Sequence, residues 1–279
     1  MATHLPVIGG HAEGFGKTHR TDSWKGGPAI TLAVFLTFIV YTTWAALQGN
    51  HYYYAPYLSP FYSPVLWTNA NIAHVAGAAP EHMAWFGTWP SWWPGFIPIS
   101  PAILILVFPG SFRFTCYYYR KAYYRSFAGS PPGCAVGPLA GKRTYRGETA
   151  LLLFQNLHRF AMYAALVFIF LLGKDAVEAF SRDGHIGIGV GSIILSINVI
   201  LIASYTFGCH SFRHLIGGRK DCLSDCGKAT VQGTAFKKAT WFNARHMQFA
   251  WLSLVWVMVA DLYVRLLSMG YIHDFNTWN

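Results

Sequence analysis

Two stretches of this chain, Pro28 to Leu47 and Ile186 to Gly208, contain no charged residue. Each is long enough to cross a hydrocarbon core, which takes roughly 20 residues of helix. Inside a bilayer the backbone must satisfy its own hydrogen bonds, so such stretches are read as helices. Three further segments approach the same character. Gly95 to Phe112 is apolar but interrupted by Pro98, Pro101 and Pro109, which predicts a kinked or partly irregular span. Thr149 to Gly173 carries Gln155, Asn156, His158 and Arg159 in its first half. Asn243 to Leu267 contains Asp261 and Arg265, spaced as an i, i+4 ion pair expected to be structural. The reading is an all-α polytopic membrane protein with a five-transmembrane-helix bundle over residues 28–279. Residues 1–27 form a polar N-terminal segment without the apolar core of a signal peptide.

Charge distribution sets the orientation. Only 11% of residues are charged, against about 25% in an ordinary soluble domain. The net charge of +10 is placed between apolar segments, which favours lipid headgroups or an acidic partner surface over nucleic acid. Five spans put residues 1–27, 113–148 and 209–242 on one side. Those segments hold 16 of the 21 Lys and Arg residues, whereas the opposite loops, 48–94 and 174–185, hold only Lys174 and Arg182. The basic side is therefore expected to be cytoplasmic, with a cytoplasmic N-terminus and a periplasmic C-terminus in the plasma membrane. The outer loop 48–94, which contains Trp89, Trp92 and Trp93, reads as a cap along the outer membrane surface. No internal repeat of the kind found in many transporters is visible.

The side chains able to do chemistry collect on the basic side. All five cysteines, Cys116, Cys134, Cys209, Cys222 and Cys226, fall at helix ends or loops there, on the reducing side, which argues against disulfides. Cys209-His210 with His214 closes the fourth span, and Cys116 closes the second. His158 lies two to three turns into the third span and His246 opens the fifth. Thiolates with imidazoles suit iron–sulfur or zinc chemistry, and two Cys with two His is the Rieske-type set. The blander reading makes Cys116 and Cys209 small buried residues and the histidines interfacial groups. Cys222 and Cys226, in a charged loop and not spaced as Cys-x-x-Cys, read as surface thiols.

Haem and quinone pose separate questions. The first two spans as drawn hold no His, so a two-haem arrangement drawing ligands from four helices cannot be built. A single haem b between His158 and His246, or His158 and His210, stays open. Arg159, Trp241 and His246 are the candidates for a quinone site, which wants aromatic walls and one or two donors.

The strings Phe112-Arg113-Phe114-Thr115-Cys116-Tyr117-Tyr118-Tyr119-Arg120-Lys121-Ala122-Tyr123-Tyr124-Arg125, Gln155-Asn156-Leu157-His158-Arg159, Cys209-His210-Ser211-Phe212-Arg213-His214 and Arg245-His246-Met247-Gln248 closely resemble the membrane anchor of actinobacterial succinate dehydrogenase, in its mycobacterial type 1 branch. The resemblance covers about the last two-thirds of the chain. It implies a flavoprotein that oxidises succinate and an iron–sulfur subunit docked on the cytoplasmic face. Electrons would pass to menaquinone, and no succinate site would lie on this chain. It also implies a membrane-embedded Rieske-type [2Fe–2S] cluster in place of haem. Cys116, Cys134, Cys209, His210, His214, His158 and His246 stand at matching positions, and the choice of four ligands among them stays open. Cys222 and Cys226 fall outside the family pattern. Two other functions compete: a single-haem cytochrome b anchor of another quinone oxidoreductase, and a transporter with a cytoplasmic zinc site. A higher oligomer of the complex is a further open point.

Overall fold

The computed structural model describes residues 23, 25–127, 149–218 and 230–278. Cys134, Cys222 and Cys226, and the side chain of Gln155, lie outside the described residues. Among those described, four helices are long and apolar enough to cross a membrane. They are α1 (Gly26–Gln48), α5 (Thr149–Glu178), α6 (Val190–Phe207) and α9 (His246–Ser268). The most buried of the four is α9, which packs along α6, and the least buried is α1.

The proline-rich segment departs from a single long helix. It forms α2 (Pro101–Ile105) and α3 (Val107–Phe114), which packs beside α5. Pro109 has no N–H to give to the Ile105 carbonyl and its ring crowds that group, so the helix breaks at Leu106. Pro101 at the first position of α2 costs little, because that N–H would lack a partner anyway. Three short helices follow the spans on the Cys-bearing side: α4 (Tyr117–Ala122), α7 (His210–Gly217) and α8 (Val231–Ala244). A π-helical turn, Tyr123–Phe127, extends α4.

The 48–94 segment is a folded cap on the opposite end of the bundle. Its two-residue strands β1 (Tyr53–Tyr54) and β2 (Tyr57–Leu58) pair antiparallel, and Tyr52, Tyr57 and Tyr62 are fully buried. The cap finishes α1. Gly49 turns left-handed at φ 63°, and a Cβ there would run into the Ile99 carbonyl, so only glycine fits. The last carbonyls of α1 then find partners outside the helix, as helix ends require. Tyr62 donates to the Ala45 carbonyl at 2.6 Å, Ser100 to that of Ala46 and Asn69 to that of Gly49.

Below the cap sits the ion pair expected from the sequence. Arg265 and Asp261 are 1% and 0% exposed, with Nε to Oδ2 at 3.3 Å. Tyr41 donates to Asp261 Oδ2 at 2.6 Å and Ser59 donates to Oδ1. The guanidinium also reaches the Asn50 carbonyl at 3.0 Å and the Ala45 carbonyl at 3.4 Å. Both charges are thus paired and hydrogen-bonded, the condition under which burial is tolerable. A small hairpin, β3 (Ser181–Arg182) and β4 (His185–Ile186), joins α5 to α6 through Asp183 and Gly184, both at positive φ, as a tight two-residue turn needs.

Candidate electron-transfer site

Both cysteines of the site occupy the same local structure. Cys116 lies between α3 and α4, and Cys209 between α6 and α7. Each is extended, at φ −65°, ψ 134° and φ −64°, ψ 139°, and each directly precedes a helix. In each case a helix of the bundle stops, a buried thiol follows, and a short helix begins. Gly208 makes the second break tight. A Cβ there would lie 2.9 Å from the Phe242 carbonyl and 3.0 Å from His246 Nδ1, so α6 meets α9 without side-chain bulk.

Each inward thiol meets an imidazole from another helix. Cys209 Sγ is 3.0 Å from His158 Nε2, and Cys116 Sγ is 3.8 Å from His246 Nε2. All four groups are buried: Cys116 and Cys209 at 1%, His246 at 4% and His158 at 8% exposure. Burial pushes the Cys209 thiol up to about 11 and raises that of Cys116, because a thiolate is poorly solvated there. The backbone N–H groups of Ser211 and Phe212 oppose this at Cys209, and those of Tyr118 and Tyr119 at Cys116. Bare, the two groups are thiols. A bound cation would displace their protons, as metal binding to cysteine generally does.

Aromatic rings hold the imidazoles. His158 stacks on Phe112 with centroids 4.7 Å apart and planes at 9°, and His246 stacks on Tyr205 at 4.9 Å and 10°. The outer nitrogens differ. His158 Nδ1 meets Thr115 Oγ1 at 2.9 Å, whereas His246 Nδ1 is buried without a partner. The Tyr205 hydroxyl lies near enough to Cys116 to influence its thiol, yet it too closes no hydrogen bond.

Phe112 and Tyr205 also form part of the wall of a cavity of 660 Å³ between α1, α3, α5, α6 and α9. Its lining is apolar apart from a few groups, chiefly Arg113, Tyr119 and Tyr205. Arg113 bonds Tyr119 at 2.6 Å and Ser253 at 3.1 Å, and its guanidinium lies 5.0 Å from the Tyr205 ring. Among the described residues no carboxylate pairs with it. Ile39 and Phe114, which line the same cavity, are exposed on the helix surface, so the cavity reaches the apolar exterior.

The other sequence candidates are distributed differently. His210 and His214 are exposed on α7 and face each other, with ring centroids 4.8 Å apart. Neither meets the buried thiols. Arg159 is exposed on α5, and Trp241 is 51% exposed on α8, covered by Arg245 at 4.2 Å. His246, grouped with them as a quinone candidate, stands instead against Cys116. Cys134 lies outside the described residues. Thr115, Phe112 and Tyr205 went unnoticed in the sequence. The available signal was Thr115 directly before Cys116 at the end of an apolar helix.

The family of actinobacterial succinate dehydrogenase subunit SdhC matches residues 26–270. This chain belongs to that family. Among solved structures, a chain of the Mycobacterium smegmatis Sdh1 complex in the apo form is 39% identical, with a TM-score of 0.79, over 94% of this chain and 94% of that one. No curated protein matches. The SdhC-family chain is therefore a multi-pass membrane subunit of a succinate dehydrogenase, with catalytic subunits as partners.

Proposed function

We propose that this SdhC-family chain anchors the flavoprotein and iron–sulfur subunits and serves electron passage from the latter to menaquinone, with a Rieske-type [2Fe–2S] cluster at the Cys/His site. One observation carries the reading. Two thiols and two imidazoles, all buried, meet as Cys209–His158 and Cys116–His246 at one end of the bundle. Among the described residues, no three His, Cys, Asp or Glu side chains converge on one point, so they offer no single-ion site of the structural zinc kind. A Rieske-type two-iron cluster takes two thiolates on one iron and two imidazoles on the other, so two buried thiols and two buried imidazoles match its donor set in number and kind. Cys116, Cys209, His158 and His246 would hold it. When bound, such a cluster supplies one-electron chemistry at a potential raised by imidazole ligation.

A bis-imidazole haem fits the same residues less well. Its two imidazoles would have to face one iron across the thickness of a porphyrin. Here each Nε2 faces a sulfur, and each ring is held flat against an aromatic neighbour.

The chain's own residues have three tasks in this reading. The four donors and their aromatic neighbours exclude water and fix the site between four helices. The 660 Å³ cavity beside Phe112 and Tyr205 falls in the size range of small-ligand pockets, roughly 300–1,000 Å³, and suits a quinone ring. Arg113 and Tyr205 are donors for a quinone carbonyl there, and the opening beside Ile39 and Phe114 suits a prenyl tail. Exposed Arg159 and Trp241 remain candidates for a rim that the docked iron–sulfur subunit covers. The broken α2–α3 segment, about 21 Å if helical throughout, would complete a fifth crossing of roughly 30 Å only together with the chain that flanks it. The basic loops place the Cys/His end on the cytoplasmic side.

Replacing Cys209 with Ser in the intact complex tests this. The expected result is loss of a Rieske-like resonance and of quinone reduction, with the signals of the iron–sulfur subunit retained. Subunit assembly and succinate oxidation by a soluble acceptor should be retained. Retention of the resonance in Cys209→Ser would contradict the assigned ligand.

A further inference from the structure

Thr115 carries a role that the bundle's packing does not require. Its side-chain oxygen is 2.7 Å from the Ser111 carbonyl and 2.9 Å from His158 Nδ1. A hydroxyl has one proton and two lone pairs. The carbonyl can only accept, so the proton goes to Ser111, and the lone pair left over faces the imidazole. The bond to His158 then needs the proton on Nδ1. The Phe112 carbonyl, a second pure acceptor, faces the same ring. With Nδ1 protonated, Nε2 is the bare nitrogen of a neutral imidazole, and it points at Cys209 Sγ, 3.0 Å away. The lone pair of His158 is thus aimed into the Cys/His site from outside it.

We propose that Thr115 is a positioning residue that fixes the tautomer and ring orientation of His158, so that Nε2 is the donor nitrogen. This rests on the proposed cluster only for what Nε2 donates to. His246 supplies the internal contrast. It stacks on Tyr205 as His158 stacks on Phe112, with almost the same geometry, but its Nδ1 has no partner. Ring stacking sets the plane of an imidazole and leaves the two nitrogens interchangeable by a flip. A side-chain hydrogen bond to the outer nitrogen removes that ambiguity for His158, whereas the outer nitrogen of His246 has no side-chain partner of that kind. Outer-shell partners of metal-bound histidines act in this way, fixing the tautomer and raising the basicity of the ligating nitrogen.

The test compares Thr115→Val, Thr115→Ser and the wild type in the purified intact complex. Valine keeps the shape and removes the hydroxyl, and serine keeps the hydroxyl and removes the methyl. The measurements are iron per complex after a timed challenge with an iron chelator, and the low-temperature paramagnetic resonance of the reduced sample. Loss of an outer-shell partner typically weakens metal binding roughly 10- to 100-fold. Thr115→Val should therefore lose the Rieske-like resonance and its two irons at least tenfold faster and show shifted positions of that resonance, with Thr115→Ser matching the wild type on both. Thr115→Val indistinguishable from wild type on both would overturn the role of Thr115. Equal loss in the valine and serine variants would also overturn it, because packing rather than the hydroxyl would then matter. A wild-type complex without a Rieske-like resonance, beyond the signals of the iron–sulfur subunit, would overturn the cluster reading itself, a different failure from either of these.

Discussion

Helix α9 carries His246 at one end and Asp261 near the other, about 22 Å apart along its axis, and both ends bury polar groups, each against different neighbours. They are finished to different degrees. Asp261 has both oxygens bonded, by Tyr41, Ser59 and Arg265, and Arg265 reaches two backbone carbonyls besides. At the other end His246 Nδ1 and the Tyr205 hydroxyl have no partner, and two thiols lie against imidazoles. A buried polar group without a partner costs about 1–3 kcal/mol, so folding alone would not select for the second arrangement. The first is a structural device, a charge pair that locks the 48–94 cap, the end of α1 and α9 together. The second has the marks of a site for something other than the fold.

The largest effect should come from breaking the finished end. Arg265→Met alone leaves Asp261 buried without its cation and should cost about 3–5 kcal/mol, read as an earlier thermal transition of the complex in detergent. Adding Asp261→Leu should recover most of that loss, because apolar replacement of a whole buried pair is close to neutral. Arg265→Met with an unchanged transition would show that the pair does not hold the cap.

Next comes a matched pair of phenol deletions. Tyr41→Phe removes a bond to a buried carboxylate and should cost about 1.5–3 kcal/mol. Tyr205→Phe removes a hydroxyl that closes no bond, keeps the ring on His246, and should change stability by less than about 0.5 kcal/mol or raise it. Equal costs would erase the difference between the two ends. The smallest expected effect is none at all. Impermeant thiol reagents applied to intact cells should leave Cys222 and Cys226 unlabelled if the excess of Lys and Arg marks the cytoplasmic side, as proposed. Labelling from outside would turn the bundle over and put the Cys/His end on the wrong side for a cytoplasmic donor.

The two ends were also unequally legible in the sequence. The Asp261–Arg265 pair could be read from spacing alone, since i, i+4 charges on one helix meet whatever the rest of the chain does. The long spans were visible for the same local reason, as charge-free runs. The break at Leu106 was announced by Pro109, although not the division into two short helices. The Cys/His site draws on residues 116, 158, 209 and 246, which no local rule brings together. Sequence reasoning gathered the Cys and His candidates at one end of the helices and grouped His210 and His214 with Cys209 because they are its neighbours in the chain. The helix break at Gly208 sends them outward on α7 and turns Cys209 alone toward His158. Thr115 and Tyr205 escaped notice because their roles come from tertiary contacts: Tyr205 stacks on His246, and Thr115 bonds His158.

The central claim is that the unfinished end holds an iron–sulfur cluster with mixed Cys and His ligation. Iron content, optical spectrum and low-temperature paramagnetic resonance, taken together on one purified and reduced sample of the whole complex, test it most directly. The expected result is a Rieske-like resonance that disappears in Cys209→Ser, with no b-type haem bands. A reduced b-type Soret and alpha band in one-to-one ratio with this chain, without that resonance, would contradict it and make His158 and His246 the axial pair.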